Sequence, residues 1–540
     1  MLTASASNEA RFPAQLTRWL AVAAWLVVAV GVLLRVRQWA FGRAFWLDEV
    51  QLVDTVRDSS HGLLLPPKQS NTAPPGWLWA EHVVQLALGP GERSLRLLPL
   101  LFGCAALVIV AVLARTVLGP LAALAVTVLA ASSPMLVYYS NEFKQYSSDV
   151  FWTLLLTLGA VLLATRRASA WQFLAWGAVA AVAAWFSHAS ILTTTGSLAA
   201  LGVLVLVWRS WLRMAALVGA GLLWLGSLGL EYVMSLDHLA GSPMLHVYWK
   251  AGFPPQPPTV NGVLDWIGPT LRSLLDRPLA LTGGALVAVL LVLGTGVLAF
   301  RRPSVLLVLL LPLGVTLAAA IAGAYPLSDR LVLFLVPIVF LLMAAPLDLF
   351  AWPGRRDVRL LLGIPVLVAL LGALAVLAAP SMRTAAHQVT EPQRVEEMRD
   401  VLRYVATHYR PGDAVLIDQG GELAAQFYAP RVGLTHIDRV RLALPNSRCR
   451  IGAAAAALDR DSLRVWIVFG HRYTFLPADN RDRYRAHFAT IGAHLERVSE
   501  PGVETDLYDL RRRPDDPKAT APQLRMFGAQ CLRIMPWLAA

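Results

Sequence analysis

Long apolar runs separated by short polar loops occupy the first 380 residues of the chain. A helix needs about 20 apolar residues to cross the hydrocarbon core of a bilayer. The pattern therefore predicts a polytopic α-helical membrane protein with about 11 transmembrane helices and a membrane domain over residues 1–380. The predicted spans are residues 18–36, 94–115, 119–138, 150–165, 171–186, 189–208, 214–234, 279–300, 304–323, 331–350 and 360–379.

The first run is followed by Arg35 and Arg37 and lacks a small-residue cleavage site, so we interpret it as an uncleaved signal anchor. Lys and Arg near span ends stay on the cytoplasmic side. With the N-terminus inside, every short basic loop lies on that side. The outer side then receives the chemically mixed loops and the tail, and is predicted to be the working face. These outer segments are residues 41–93, 139–149, 235–278, 324–330 and the tail from 380.

The tail, residues 381–540, changes character and predicts a small extracytoplasmic α/β domain. Residues 391–409 carry apolar side chains at helical spacing, and Pro411-Gly412-Asp413 turns the chain into a strand-like run at Ala414–Ile417. A second strand is predicted at Arg464–Phe469 and a third ends near Tyr508. A charged end follows.

Composition narrows the class of protein. Hydrophobic residues make up 56% of the chain and charged residues 15%, which excludes a soluble globular protein. The net charge of +12 comes from basic residues in twos and threes between apolar runs, not from the extended basic stripe of a nucleic-acid-binding protein. Cys449 and Cys531 share the tail, and the sequence leaves open whether they form a disulfide or remain two thiols.

An acidic pair, Asp48 and Glu49, follows the first span directly. Carboxylates at a lipid interface lose part of their hydration, which costs free energy. They are expected there only where another group offsets this cost or where the carboxylate has a function. Partial burial and a like-charged neighbour raise a carboxylate pKa, so either residue is a candidate general base for an acceptor hydroxyl. The alternative, a solvated helix end, stays open at this point.

Three other polar segments lie on the same predicted face. Asn71 and Trp77 flank a Pro-Pro turn preceded by Lys68. An interfacial anchor is the favoured explanation of Trp77, but it does not explain the ordered turn that carries Lys68. If the loop after the third span is helical, Glu142 and Tyr146 share one face, with Lys144 pointing elsewhere. Arg330 stands at the outer end of a span, where it can bind a phosphate or pair with its neighbour Asp329.

These segments together resemble the GT-C glycosyltransferases that use polyprenyl-phosphate sugars, especially the protein O-mannosyltransferase and lipid A aminoarabinose transferase branch. The resemblance covers roughly residues 18–350. The Pro-Pro turn lacks the histidine that O-mannosyltransferases commonly place before it, which disfavours protein Ser or Thr acceptors.

The resemblance implies a role for each motif residue. Asp48 becomes the expected base with Glu49 beside it, and a divalent metal at this pair is possible. Phosphate-binding candidates are Lys68, Lys144 and Arg330; sugar- or acceptor-binding candidates are Glu142, Tyr146, Asn71 and Trp77. The expected partners are a polyprenyl-phosphate sugar, membrane lipid and an extracytoplasmic acceptor, at the plasma (inner) membrane of a bacterium with the active site facing outside.

Two other classes of function compete with this one. A transporter or flippase of lipid-linked sugars would carry polar or broken-helix features near the midplane of the membrane, whereas the polar groups here gather at one surface. A non-catalytic assembly partner would not explain why Asp48, Lys144 and Arg330 fall on one face.

Overall fold

The computed structural model describes residues 14–58, 73–166, 168–237, 243–351, 363–418, 420–434, 464–472 and 480–511. Their contacts divide the chain into two units. The membrane unit comprises residues 1–41 and 55–392, and the C-terminal unit comprises residues 42–54 and 393–540. The short segment that carries Asp48 and Glu49 thus groups with the C-terminal residues.

The membrane unit is helical throughout its described part. Its helices are α1 (Ala14–Ala40), α2 (Leu47–Asp58, which begins in the C-terminal unit), α3 (Pro75–Leu88), α4 (Glu92–Leu95), α5 (Leu97–Val117), α6 (Pro120–Ser132), α7 (Pro134–Tyr139), α8 (Tyr146–Thr165), α9 (Ala170–Phe186), α10 (Ala189–Trp208), α11 (Trp211–Glu231), α12 (Pro243–Tyr248), α13 (Val260–Asp276), α14 (Gly284–Arg301), α15 (Pro303–Ile321), α16 (Val336–Ala344) and α17 (Ile364–Thr390). A π-helical turn (Tyr232–Leu236) and 3-10 turns at Lys250–Gly252, Asp329–Leu335 and Ala345–Ala351 complete the set.

Within the described ranges, nine helical stretches are long and apolar enough to cross a membrane. The two remaining predicted spans, 119–138 and 171–186, correspond to the shorter apolar helices α6 and α9. The predicted polytopic helical fold is therefore confirmed. One end differs from the prediction: α17 continues to Thr390, through the predicted domain boundary at residue 380, because a helix can extend beyond its apolar stretch.

Small residues allow the helices to approach closely. A Cβ on Gly177 of α9 would lie 2.4 Å from the Cβ of Ala220 on α11. A Cβ on Gly196 of α10 would lie 2.5 Å from the backbone nitrogen of Pro312 on α15. Close backbone approach of this kind provides the van der Waals contact that holds helices together in lipid.

A buried arginine joins α1 to the end of α6. The Arg35 guanidinium donates to its own helix at the Gly31 carbonyl (3.0 Å) and to the carbonyls of Ala130 (3.2 Å) and Ala131 (3.4 Å). The last carbonyls of a helix have no partner within the helix, and a cation at that end also complements the helix dipole. Arg35 therefore caps α6 inside the membrane unit.

The C-terminal unit is built on a four-stranded sheet, with β1 (Ala414–Ile417), β2 (Arg464–Phe469), β3 (Ala493–Glu500) and β4 (Val503–Asp509) in the order β1-β2-β4-β3. β1 and β2 are parallel, with Ala414 opposite Val465, and the other pairs are antiparallel. Its helices are α18 (Met398–His408), α19 (Glu422–Tyr428) and α20 (Asn480–Ile491), with a 3-10 turn at Pro430–Val432. The predicted α/β fold is confirmed here.

Three of the four strands follow the sequence prediction, and β3 escaped it. β3 carries His494, Glu496 and Arg497 at the edge of the sheet, where one face of the strand stays exposed. β2 is buried along its whole length, so its apolar run is visible in the sequence. The core beneath the sheet is formed by Leu416, Val465, Ile467, Phe469, Tyr484, Phe488 and Tyr508.

A fully buried carboxylate fixes β4 to its neighbours. Asp506 accepts hydrogen bonds from Arg485 Nε (2.8 Å), Arg497 Nε (2.7 Å) and His494 Nε2 (2.9 Å). Burial by itself raises the pKa of Asp506, but these three donors outweigh burial and hold the pKa below its usual value. The ionised form of Asp506 therefore stabilises the fold.

We expect Arg35→Leu to lower the stability of the membrane unit by about 2 kcal/mol, because the α6 carbonyls lose their donors. Thermal unfolding in detergent, followed by tryptophan fluorescence, measures the change. Arg37→Leu is the matched control, since Arg37 is exposed and stacks on Phe41. Equal effects of the two substitutions would contradict the capping role.

We expect Asp506→Asn to destabilise the sheet by about 3 kcal/mol at neutral pH, since two arginines lose their buried charge partner. The lowered pKa means that the contribution of Asp506 is present above the unfolded-state pKa of about 3.9 and is lost as pH falls through the folded-state value. Hydrogen exchange of residues 503–509 in the whole protein measures it. The gap between wild type and variant should shrink below about pH 4; a gap that does not change with pH contradicts the assignment.

Candidate active site

The segment that leads into α2 is held through its backbone. Four consecutive N–H groups, at residues 44 to 47, each donate to a side-chain oxygen. The pairs are Ala44 to Glu397 Oε2 (3.4 Å), Phe45 to the Tyr428 hydroxyl (2.7 Å), Trp46 to Glu49 Oε2 (3.3 Å) and Leu47 to Glu396 Oε2 (3.0 Å). Trp46 and Leu47 stand at the start of α2, where N–H groups have no partner inside the helix. Their two acceptors therefore fix where α2 begins, and the bonds of Ala44 and Phe45 hold the segment that leads into it.

The two carboxylates of the acidic pair have different surroundings. Glu49 is fully buried, and its carboxylate turns back to accept the Trp46 N–H, the second half of a capping box. Asp48 is partly exposed and stands in the first turn of α2, where the helix dipole favours a negative charge. Glu49 therefore supports the helix start, while part of Asp48 remains accessible.

His471 lies beside this segment and was not found from the sequence. Its Nδ1 is bonded to Glu396 Oε1, and its ring centroid lies 6.3 Å from that of Trp46. Burial alone lowers the pKa of His471, but the negative charges of Glu396, Asp48 and Asp418 outweigh burial and raise the pKa above its usual value. Glu396 thus binds both the first N–H of α2 and the imidazole.

The position of His471 could have been suspected from the strand pattern. Asp418 directly follows β1, and Gly470 with His471 directly follows β2. β1 and β2 are parallel neighbours, and polar groups at the carboxyl ends of adjacent parallel strands commonly form sites. Asp418 Oδ1 accepts the Gly470 N–H at 2.7 Å, which fixes the loop that presents His471.

A second polar cluster lies in the membrane unit. Arg330 Nε donates to the Tyr146 hydroxyl at 2.9 Å. Tyr146 meets Tyr139 edge to face, with ring centroids 5.0 Å apart. The Tyr139 hydroxyl also lies within electrostatic range of Glu142, Asp329 and Arg330. The structure therefore brings together three of the candidate residues predicted from the sequence: Arg330, Tyr146 and Glu142.

The geometry of the loop between α7 and α8 differs from the prediction. Residues 140–145 form turns, and α8 begins only at Tyr146. Glu142 and Tyr146 therefore do not share a helix face, because Glu142 precedes the helix. Their common neighbour is Tyr139.

Trp249 was also missed by the sequence analysis. The Arg330 guanidinium carbon lies 5.2 Å from the centroid of the Trp249 ring, a cation–π contact. The turn that carries Trp249 is fixed to the loop before Arg330, since the Leu327 N–H donates to the Gly252 carbonyl at 2.8 Å. Gly252 has no side chain to obstruct this: a Cβ there would lie 2.8 Å from Pro326. A tryptophan in a Pro-rich loop carries no motif, so only tertiary packing reveals it.

The remaining sequence candidates fall into two groups. Trp77 is fully buried with its ring centroid 5.5 Å from that of Phe143, and Lys144 is nearly buried one residue farther along the chain. Lys68, Asn71, Cys449 and Cys531 lie outside the described residues.

The donor set for a divalent metal is incomplete. In the part of the chain that the structure describes, no three His, Cys, Asp or Glu side chains are grouped to hold a metal ion. Glu49, one of the two expected ligands, already uses its carboxylate as the cap of α2. A metal at the acidic pair therefore stays a prediction, and we assign no chemical step to one.

No protein-family model and no curated protein matches the chain. Solved structures similar to the chain include an oligosaccharyltransferase, ArnT and an arabinofuranosyltransferase. The Archaeoglobus fulgidus oligosaccharyltransferase gives a TM-score of 0.48 at 12% identity, over 82% of this chain and 68% of that one. ArnT from Cupriavidus metallidurans, solved with undecaprenyl phosphate, gives 0.46 at 15%, over 94% and 100%.

The arabinofuranosyltransferase AftD from Mycobacteria gives a TM-score of 0.43 at 18% identity, over 91% of this chain and 41% of that one. All three TM-scores lie below 0.5. The roles assigned to individual residues therefore rest on the geometry of this chain and not on its neighbours.

Proposed function

We propose that this chain is a membrane glycosyltransferase that moves a sugar from a polyprenyl-phosphate donor to an acceptor outside the membrane, with Asp48 as general base. The observation that carries the proposal is the set of hydrogen bonds at residues 44 to 47. They fix the start of α2 and occupy Glu49 as its cap. Asp48 is then the member of the pair that is both held in place and partly exposed.

The proposed reaction is a single displacement. Asp48 takes the proton of an acceptor hydroxyl, and the hydroxyl oxygen forms a bond to the anomeric carbon of the sugar. The bond between that carbon and the phosphate oxygen breaks, and polyprenyl phosphate leaves with the electron pair. One displacement inverts the configuration at the anomeric carbon. The acceptor is a glycan, lipid or protein of the cell envelope.

The donor phosphate needs cations, because negative charge builds up on it as the bond breaks. Arg330 is the best-supported candidate, since Tyr146 and Trp249 hold its guanidinium in place, and a fixed guanidinium binds phosphate through two parallel hydrogen bonds. Lys144 and Lys68 are proposed to add charge. Glu142, Tyr146, Asn71 and Trp77 remain the proposed sugar or acceptor contacts.

We further propose that His471 is a positioning residue for Asp48. Glu396 holds the imidazole with one carboxylate oxygen and the Leu47 N–H with the other. Asp48 lies within electrostatic range of the imidazole, since its negative charge is one of the causes that raise the pKa of His471. His471 and Glu396 would together hold the segment that carries Asp48 in place.

Asp48→Asn should lower kcat about 10²- to 10⁴-fold, the usual contribution of a general base. Glu49→Gln keeps an oxygen for the Trp46 N–H and should stay within about tenfold of wild type. The assay follows transfer of radiolabelled sugar from polyprenyl-phosphate sugars to envelope acceptors by the purified protein. Undiminished transfer by Asp48→Asn contradicts the assignment of the base. Donor binding without any transfer by wild type favours the transporter alternative.

His471→Asn should lower kcat on the order of tenfold to a hundredfold, as substitutions of supporting residues commonly do, with KM for the donor changed less than about twofold. Asn can keep the bond to Glu396 but carries no positive charge. His494→Asn is the matched control, because it removes another carboxylate-paired imidazole of the same unit.

Equal losses in the His471 and His494 variants would contradict the positioning role. Hydrogen exchange at residues 464–469 separates this role from a loss of folding. If His471→Asn disturbs that exchange, Glu396→Gln is tested instead. This variant keeps one acceptor for the Leu47 N–H, and the positioning role predicts that it also lowers kcat.

A further inference from the structure

Glu81 is a fully buried carboxyl in α3 whose two oxygens have no hydrogen-bond partner among the residues that the structure describes. It is the one acidic residue of that helix. Burial, with no partner to offset it, raises the pKa of Glu81 well above its usual range. Buried polar groups in proteins are nearly always bonded, so an exception calls for an explanation.

Several other buried carboxyls in the described part of the chain have a polar side chain or backbone N–H within bonding or ion-pair distance. Glu49 accepts the Trp46 N–H, and Asp506 accepts from three side chains. Asp149, in the first turn of α8, accepts from the Ser187 hydroxyl at 2.6 Å. Glu231 lies 3.1 Å from His188 Nε2. Glu81 has no such neighbour among the residues that the structure describes.

Two further polar atoms on the same face of α3 are in the same situation. Trp77 and Gln85 lie one helical turn before and after Glu81, and residues four apart share a helix face. Trp77 Nε1 and Gln85 Oε1 are buried and have no partner in the described part of the chain. This face therefore offers one indole donor and several carboxyl and amide oxygens that nothing in the described structure satisfies.

The location of this face connects it with the second polar cluster. The Trp77 ring packs on Phe143, which stands between Glu142 and Lys144 in the loop before α8. An aromatic ring beside a carboxyl and an amide suits a polyhydroxylated ligand, because each hydroxyl both donates and accepts hydrogen bonds. A cation is a poorer fit, since burial favours the uncharged form of Glu81.

We propose that the face of α3 formed by Trp77, Glu81 and Gln85 is a sugar-binding subsite in which Glu81 exchanges hydrogen bonds with sugar hydroxyls. The proposal rests on the proposed function and names a part of its sugar pocket. Glu81 is fully covered in this conformation, so binding is coupled to movement of the covering residues. The sugar belongs either to the donor or to the acceptor, and the experiment separates the two.

The test compares Glu81→Leu and Glu81→Gln with wild type by thermal unfolding in detergent. Glu81→Leu should raise Tm by about 2–5 °C, because it removes an unbonded polar group from the interior. Glu231→Leu, a matched control with the same burial, should instead lower Tm because His188 loses its partner. If Glu81 had only a structural role, its substitution would not both raise Tm and weaken sugar binding.

Binding is measured as the rise in Tm caused by three probes: undecaprenyl phosphate, undecaprenyl-phosphate hexose or pentose, and a hexose oligosaccharide. Bare undecaprenyl phosphate should stabilise wild type and Glu81→Leu equally. The extra stabilisation by the lipid-linked sugar should vanish in Glu81→Leu and persist in Glu81→Gln, which places the donor sugar at Glu81. Loss of the oligosaccharide effect instead places the acceptor there.

Two outcomes overturn the proposal. A lower Tm for Glu81→Leu means that the carboxyl is bonded and structural. A higher Tm with unchanged stabilisation by every sugar probe, or no sugar-dependent stabilisation of wild type, means that the face binds no sugar. This experiment measures binding, so its result does not depend on whether sugar transfer is detected in the Asp48 assay. If Glu81 proves not to bind sugar, the assignment of Asp48 as the base is unaffected.

Discussion

The candidate site depends on four hydrogen bonds in which the backbone N–H groups of residues 44 to 47 donate to side-chain oxygens. The start of a helix exposes N–H donors that must be satisfied. Here the neighbouring Glu49 and three side chains from far along the chain, Glu396, Glu397 and Tyr428, accept these and the preceding N–H groups. The direction of α2 and the position of Asp48 follow from one set of bonds. The same set explains why two adjacent carboxylates differ: Glu49 completes the cap and Asp48 does not.

The second polar cluster follows a different principle. Arg330 is oriented by aromatic side chains, Tyr146 through a hydrogen bond and Trp249 through its ring face. Asp329, just before it, has φ of +40°, a conformation that non-glycine residues seldom adopt. Such strain persists only where surrounding contacts enforce it; two residues before Asp329, the Leu327 N–H donates to the Gly252 carbonyl.

Much of the fold could be read from the sequence, because hydrophobic length determines which helices can cross a bilayer and all-buried strands such as β2 are visible as apolar runs. The edge strand β3 was missed because its exposed face is charged. For the site, the acidic pair and Arg330 were found as polar residues at span ends. Glu396 and Trp249 could not be found in this way, because each acquires its role only through a partner far along the chain. His471 was missed, although its position directly after β2 and beside the end of β1 was an available signal. Glu81 was missed because a single acid in a short helix looks solvated until its burial is known.

The attachment of residues 44 to 47 has a consequence for the order of events during synthesis. Leu47 and its acceptor Glu396 are 349 residues apart in the chain, and Phe45 and Tyr428 are 383 apart. Domains generally fold from the N-terminus as the chain is made, yet three of the four acceptors, Glu396, Glu397 and Tyr428, are translated only after the last membrane helix. A chain that stops before residue 393 would insert its helices and still lack a positioned Asp48. The position of Asp48 therefore depends on residues that are synthesised last.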